Sequence, residues 1–160
     1  MYSAAEARLL EAVSWFLVTG HGVPELTMAA AEALVEGRDS HSLRELAGLE
    51  RDTARADVRN VSAAAFEELG LPFPDLDTDD GQLFVLRVLC RRFLDGGLSA
   101  RELTTWAHAN VGHEGAEVAQ DLVLLDDELD EIDTSWRSLA DVHAEIELAA
   151  RAFLASYPRE

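Results

Sequence analysis

The C-terminal half of the chain carries side chains of the types that bind transition metals: His108, His113, Glu114 and Glu117. Neutral imidazoles and carboxylates both coordinate zinc, and His113 and Glu117 are one helical turn apart. His108 and His113, however, are separated by Gly112, where a helix is predicted to end. A metal-dependent hydrolase more typically presents a compact pair of histidines with a base between them, as in His-Glu-x-x-His. We therefore predict no metal site and no cofactor, and keep a metal-dependent enzyme using His108, His113 and Glu117 as the third hypothesis.

Residues 75–81 read Asp-Leu-Asp-Thr-Asp-Asp-Gly and have the acidic spacing of a calcium loop. Such a loop needs a glycine at its sixth position and a bidentate glutamate at its twelfth. Counted from Asp75, those positions hold Asp80 and Leu86. We therefore interpret the segment as the start of a helix, where acidic side chains interact favourably with the positive end of the helix dipole.

Other signatures of catalysis are missing from the sequence. It contains no phosphate-binding glycine loop, nucleophile elbow or dinucleotide fingerprint. Cys90, the single cysteine, lies in an apolar run and is predicted to be a core residue rather than a reactive thiol. Trp15, Trp106 and Trp136 lie among apolar residues and are predicted to anchor the core. We therefore predict that the chain is not an enzyme.

The most distinctive polar feature is an acidic row on the seventh predicted helix. Residues 114–133 contain nine acidic residues and no arginine. Like charges one turn apart destabilise a helix slightly, so this row opposes helix stability. It is either the solvated face of an acidic protein or an electrostatic landing site for a basic partner. The residues assigned to partner binding are Asp126, Asp127, Asp130, Glu131 and Asp133.

Apolar residues recur at helical spacing along the whole chain and predict an all-α fold, a single antiparallel bundle of about seven or eight helices. Ser3 with Glu6 and Ser99 with Glu102 form two capping-box sequences. The seventh and eighth helices carry apolar residues at alternating three- and four-residue spacing and are joined by a short turn at 133–135. We therefore expect them to pack antiparallel. Their seams are Val118, Leu122, Leu125, Leu129 and Ile132, and Leu139, Val142, Ile146, Ala149 and Phe153.

Residues 1–160 are predicted to form one helical domain. Segment 71–77, Leu-Pro-Phe-Pro-Asp-Leu-Asp, is too rich in proline to be helical. It is the best candidate for a linker between sub-halves 1–70 and 77–160. The fifth helix, near 79–94, is apolar on almost every side, so we expect it at the centre of the bundle.

The composition is strongly acidic, with 31 acidic and 13 basic residues and a formal net charge of −18. The net charge is −6 over residues 1–70 and −12 over residues 71–160. Because such a surface repels phosphate groups, we predict neither direct nucleic-acid binding nor membrane binding. The first residues lack the basic start and apolar core of a signal peptide, and a single cysteine excludes an internal disulfide. We therefore predict a cytoplasmic protein.

Two stretches of the C-terminal half share a family pattern: residues 93–103 (FLDGGLSAREL), followed by Trp106, and residues 122–130 (LVLLDDELD). A helix ends in a glycine turn, a serine cap opens the next helix, and an acidic helix follows. This pattern resembles the self-protective immunity proteins of the colicin-D type. The resemblance implies a small acidic helical bundle that blocks a tRNA-cleaving toxin by covering its basic active-site cleft. Residues 37–49 (GRDSHSLRELAGL) instead resemble uncharacterised bacterial helical proteins.

The leading hypothesis is a non-enzymatic acidic helical protein that binds another protein. The resemblance narrows it to an immunity protein or antitoxin against a basic nuclease-like toxin. The alternative is a helical adaptor or homo-oligomer that associates through apolar surface, with the charge serving only solubility.

Overall fold

Eight α-helices form the fold in the computed structural model, which describes residues 1–157. No β-strand occurs in that range, so the predicted all-α fold and number of helices are confirmed. None of the eight helices is long and apolar enough to span a lipid bilayer. A short 3₁₀ helix, Glu117–Ala119, leads into the seventh helix, and another, Ile132–Thr134, follows it. The α-helices are α1 (Ala4–Thr19), α2 (Val23–Val35), α3 (His41–Ala47), α4 (Arg55–Leu69), α5 (Asp79–Leu94), α6 (Ala100–Asn110), α7 (Gln120–Asp130) and α8 (Leu139–Ser156).

The helices group into two compact units. The N-terminal unit holds α1 to α4 and the C-terminal unit holds α5 to α8. The division lies between Pro74 and Asp75, inside the proline-containing segment 71–77.

In the N-terminal unit each helix packs against the next one along the chain. α1 opens with the predicted capping box, in which Ser3 and Glu6 each accept a hydrogen bond from the backbone amide of the other. Phe16 and Phe66 are at most 1% exposed and lie in the core. Burying a large apolar side chain in this way stabilises a fold by about 1.5–3 kcal/mol. Phe66 also meets Phe73 edge to face at 5.5 Å, which ties the proline-containing segment to α4.

The acidic segment before α5 is a helix start, as predicted. Thr78 caps α5 by accepting a hydrogen bond from the amide of Gly81 at 3.2 Å. Asp75 accepts a hydrogen bond from the amide of Asp77 at 3.0 Å. A Cβ atom at position 81 would lie 1.9 Å from the carbonyl oxygen of Asp75, so only glycine fits there. Close backbone packing therefore explains the glycine of this segment.

α5 supplies much of the core of the C-terminal unit and packs against α6 and α8. Beyond its first turn none of its residues is exposed, which agrees with its apolar character on almost every side. Cys90 is fully buried, and burial raises the pKa of its thiol to about 12. The thiol is therefore protonated at neutral pH and acts as an apolar core group, as predicted.

The seam between α7 and α8 is confirmed at its centre and at Phe153, and is wrong at Val118 and Leu139. Its buried residues are Leu122, Leu125 and Leu129 on α7 and Val142, Ile146 and Phe153 on α8. Val118 is 37% exposed and Leu139 is 51% exposed. Val118 and Ile132 lie in the 3₁₀ helices, whose tighter winding rotates side chains away from the α-helical seam. The connection between α7 and α8 spans residues 131–138, which is longer than the predicted turn.

Trp136 contradicts the prediction that all three tryptophans anchor the core. It lies in the connection between α7 and α8 and is 93% exposed, whereas Trp15 and Trp106 are only partly exposed. Because Trp136 lies outside any helix, helical periodicity does not direct its side chain toward a core.

Candidate functional site

Polar contacts between α6 and α7 define the register in which these helices pack. Arg101 reaches Asp130, 29 residues further along the chain. Thr104 reaches Asp126 over a separation of 22 residues, and His108 reaches the same carboxylate over 18. Because the separation shrinks along α6, the two helices run in opposite directions. The polar face of α6 therefore lies against the acidic row of α7.

The turn between α6 and α7 places His113 beside His108. Gly112 ends α6, as predicted, with a φ of 67°, in the left-handed region that favours glycine. The side-chain amide of Gln120, at the start of α7, donates to the carbonyl oxygens of Gly112 at 2.9 Å and Gly115 at 3.3 Å. These bonds hold the turn that carries His113, whose ring centroid lies 4.9 Å from that of His108.

Asp126 is the buried centre of this region and is only 5% exposed. Its Oδ1 accepts hydrogen bonds from the hydroxyls of Thr104 at 2.8 Å and Thr105 at 3.0 Å. Its Oδ2 lies 3.0 Å from Nδ1 of His108, and the guanidinium of Arg101 is 3.4 Å from Oδ1. A buried carboxylate requires such partners because an unpaired one would be strongly destabilising.

The pKa of Asp126 reflects a competition between burial and these partners. Burial acts to raise the pKa, because it disfavours the charged form. Hydrogen bonds from Thr104, Thr105 and His108, with the nearby charge of Arg101, outweigh burial and hold the pKa below its ordinary value. Asp126 is therefore a fixed negative charge at neutral pH.

Asp127, the next residue of α7, lies between the two histidines. Its Oδ1 is 3.5 Å from Nδ1 of His108, and its Oδ2 is 3.4 Å from Nε2 of His113. His108, His113 and Asp127 each offer one ligand atom, and these atoms lie within 4.8 Å of one another. We call these three residues together with Asp126 the His–Asp cluster.

The five residues predicted to bind a partner occupy different settings. Asp126 is buried and bonded within the chain, so it does not offer its charge at the surface as a solvated row would. Asp127 is half-buried beside the histidines. Asp130 is exposed but ion-paired to α6 at 2.7 Å. Glu131 and Asp133 are exposed, at and beyond the C-terminal end of α7.

The His–Asp cluster was not predicted, because its carboxylates are not close to its histidines in the sequence. Glu114 and Glu117, the carboxylates nearest to His113 in sequence, are both exposed, and neither belongs to the group of ligand atoms found among residues 1–157. The carboxylates of the cluster come instead from α7, which only tertiary packing brings close.

A second feature is a groove of about 340 Å³ between α7 and α8, here called the α7–α8 groove. Leu124 and Leu148 line it and are 50% and 65% exposed. Arg137 bonds to Glu145 of α8 and Glu128 of α7, and these bonds and charges raise the pKa of its guanidinium. The groove is lined by Asp121, Leu124, Leu125, Glu128, Glu145, Leu148, Ala149 and Ala152.

Comparisons of the chain with protein-family models, with curated proteins and with solved structures found no match. The C-terminal unit itself offers two candidate sites. One is the His–Asp cluster of α6 and α7, and the other is the α7–α8 groove.

Proposed function

We propose that this chain is a non-enzymatic protein that binds a basic protein partner through the α7–α8 groove. The observation that carries the proposal is the exposure of Leu124 and Leu148 in a groove that acidic side chains surround. Those acidic side chains are Asp121, Glu128 and Glu145.

The two leucines support binding because a partner that covered them would remove exposed apolar surface from water. A solvated helix face normally carries polar residues at such positions. Fully burying a leucine side chain contributes about 1.5–3 kcal/mol, so covering these half-exposed leucines would contribute about half of that each. Grooves between helices that expose apolar side chains receive the apolar face of an amphipathic helix. We therefore expect a partner helix whose apolar residues contact Leu124 and Leu148.

The charge around the groove supports a basic partner. Residues 71–160 carry a net charge of −12, and three acidic residues line the groove itself. Two of these, Glu128 and Glu145, share one arginine, Arg137, so the groove keeps a net negative charge. Glu131 and Asp133 are exposed near the end of α7 and add to this negative field, whereas the charge of Asp130 is paired with Arg101. Exposed charges of this kind accelerate association and select the partner more than they set the affinity. Asp126 is left out of the contact surface because it is buried.

The narrower form of the proposal is an immunity protein or antitoxin whose partner is a basic nuclease-like toxin. Its support is the resemblance of residues 93–103 and 122–130 to the colicin-D-type immunity family. In that family an acidic helical bundle covers a basic active-site cleft, and by this resemblance α7, which contains residues 122–130, would correspond to the acidic helix. A cleft that attracts RNA phosphates would attract the acidic rim of this groove for the same electrostatic reason.

Capture from the source cells at low salt tests the proposal. We expect the wild-type chain to retain a basic protein, and we expect replacement of both Leu124 and Leu148 by serine to weaken binding about 10- to 100-fold. The measurement is the dissociation constant of the captured protein for the wild type and the double variant. For the narrower form, a captured nuclease should lose activity when mixed with one equivalent of the wild-type chain.

A matched control uses exposed apolar residues of the N-terminal unit. Met28 and Val35 of α2 are 62% and 89% exposed, so their double replacement by serine removes a similar apolar surface elsewhere. This control should leave the dissociation constant unchanged. Capture of no basic protein, or equal weakening by both double variants, would refute the proposal.

Self-association is the second candidate function, and the exposed Trp136, Leu124 and Leu148 favour it. An apolar contact between two copies should survive high salt, whereas a contact with a basic partner should weaken as screening increases. Sedimentation of the purified chain at low and high salt separates the two. A dimer that persists at high salt and is lost in the Leu124 and Leu148 double variant would favour self-association.

A further inference from the structure

We propose that the His–Asp cluster binds one divalent transition-metal ion of the zinc class, with His108, His113 and Asp127 as ligands. This inference is independent of the proposed partner. It uses the α6–α7 side of the C-terminal unit, and none of its ligands lines the α7–α8 groove.

The donor set favours this class of metal. Two imidazoles and one carboxylate supply three of the four ligands in many zinc sites, with water as the fourth. Imidazole nitrogen suits zinc, copper, nickel and iron, whereas magnesium and calcium prefer oxygen ligands throughout. The side chains of His108, His113 and Asp127 are 34%, 50% and 44% exposed, so water can reach a fourth position.

The geometry is close to what a tetrahedral ion requires. Zinc bonds of about 2.0–2.1 Å place neighbouring ligand atoms about 3.3 Å apart in a tetrahedron. Nε2 of His113 and Oδ2 of Asp127 are already 3.4 Å apart. One ligand atom from each of the three residues lies within 4.8 Å of the others. Nδ1 of His108 lies 3.5 Å from Oδ1 of Asp127, so binding through the other ring nitrogen requires the His108 side chain to turn toward the ion.

Asp126 provides the second, independent observation. Histidine ligands commonly donate their other ring N–H to a carboxylate, which orients the ring and makes it a better ligand. Asp126 is buried, and its Oδ2 lies 3.0 Å from Nδ1 of His108. The hydroxyls of Thr104 and Thr105 hold that carboxylate in turn. An N–H at Nδ1 leaves the other nitrogen of His108 with a lone pair for a metal.

Such an ion would join three separate parts of the unit. His108 lies near the end of α6, His113 lies in the turn after it, and Asp127 lies on α7. Binding would therefore fix the turn between α6 and α7 and stabilise the folded chain by mass action.

The test uses the full chain without a histidine tag, stripped with a chelator and titrated with zinc chloride alone. We expect one zinc ion per chain by calorimetry, with a dissociation constant below about 10 µM, because three protein ligands and a water complete a tetrahedral zinc site. With free zinc at about 100 times the dissociation constant, Tm should rise by about 5–10 °C. Magnesium and calcium at the same concentration should leave Tm unchanged.

Variants locate the site. His113→Ala removes an exposed ligand and should weaken zinc binding at least about 100-fold without unfolding the chain, whereas Asp126→Asn should weaken it about 10- to 100-fold. His143→Ala, which removes an exposed histidine of α8 outside the cluster, is the control and should leave binding unchanged. No stoichiometric zinc binding by the wild type, or equal weakening by His113→Ala and His143→Ala, would overturn the proposal.

Discussion

Within residues 1–157, each unit of the chain buries one carboxylate, and the hydrogen-bond partners of the two carboxylates differ in kind. Glu6 in the N-terminal unit is 3% exposed, accepts a hydrogen bond from the amide of Ser3 at 2.7 Å, and pairs with Arg38. Asp126 in the C-terminal unit is 5% exposed, and its hydrogen-bond partners are side chains of α6. The Glu6 carboxylate completes the cap of its own helix, whereas the Asp126 carboxylate accepts hydrogen bonds from side chains of a neighbouring helix.

The difference shows that burial of an acid does not by itself identify a functional site. The partners of Glu6 are a backbone amide and a guanidinium, which satisfy its charge and offer no free coordination chemistry. One partner of Asp126 is an imidazole that contacts a second imidazole and a second carboxylate. The surroundings of the buried acid therefore distinguish the structural case from the candidate site.

The largest effect on stability is expected from Asp126→Ala. This change removes the shared acceptor of Thr104, Thr105 and His108, of which only Thr104 is buried. Because three hydrogen bonds to one charged group are lost together, we expect a loss of about 2–3 kcal/mol. Glu6→Ala should cost less, about 1–2 kcal/mol, because water can solvate the half-exposed Arg38 and the loss is mainly that of a helix cap. Urea unfolding of both variants at neutral pH measures the difference.

Asp130→Ala is the control for this pair, because it removes an exposed acid from the same face of α7. We expect it to change the free energy of unfolding by less than about 1 kcal/mol, as is usual for exposed ion pairs. If Glu6→Ala destabilises the chain as much as Asp126→Ala, the contrast between the two carboxylates is wrong.

Local features of the fold could be predicted from the sequence, and features that depend on tertiary packing could not. The two capping boxes, at Ser3 and Ser99, need only residues three positions apart, and both are present. The central seam of α7 and α8 follows from helical periodicity alone. In contrast, His108 and Asp126 are 18 residues apart and meet only because α6 and α7 pack in one register.

The structure differs from the sequence-based prediction at two further places, and in both the cause is a local backbone conformation that helical periodicity does not reveal. The 3₁₀ helices at both ends of α7 rotate Val118 and Ile132 off a seam that assumes a continuous α-helix. Trp136 is exposed because it lies in a connection rather than on a helix. Its exposure could not be inferred from its apolar character, which normally favours burial.

A smaller, pH-dependent effect is expected at Glu68 in the N-terminal unit. Hydrogen bonds from the hydroxyl of Ser40, and from the amide and hydroxyl of Ser42, lower its pKa from the ordinary value of 4.5. Because the folded pKa is the lower one, the stabilisation is fully present above pH 4.5 and is lost as the pH falls through the folded pKa. Glu68→Gln should therefore be less stable than the wild type at pH 7 and approach it in acid.

Urea unfolding across this pH range measures the convergence, with Glu67→Gln, a change at the exposed neighbouring residue, as the control. Ser40 and Ser42 lie at the N-terminus of α3, so Glu68 stabilises that end of the helix. If the free energy of unfolding of Glu68→Gln differed from that of the wild type by the same amount at every pH, the charge of the carboxylate would not be the cause.

The central claim is that the C-terminal unit carries the binding function through α7 and α8. Amide hydrogen exchange of the chain, with and without the basic protein captured at low salt, tests this most directly. We predict that the partner slows exchange in α7, in α8 and in the connection at 131–138, and leaves α1 to α4 unchanged. Slower exchange confined to α1 to α4 would contradict the account.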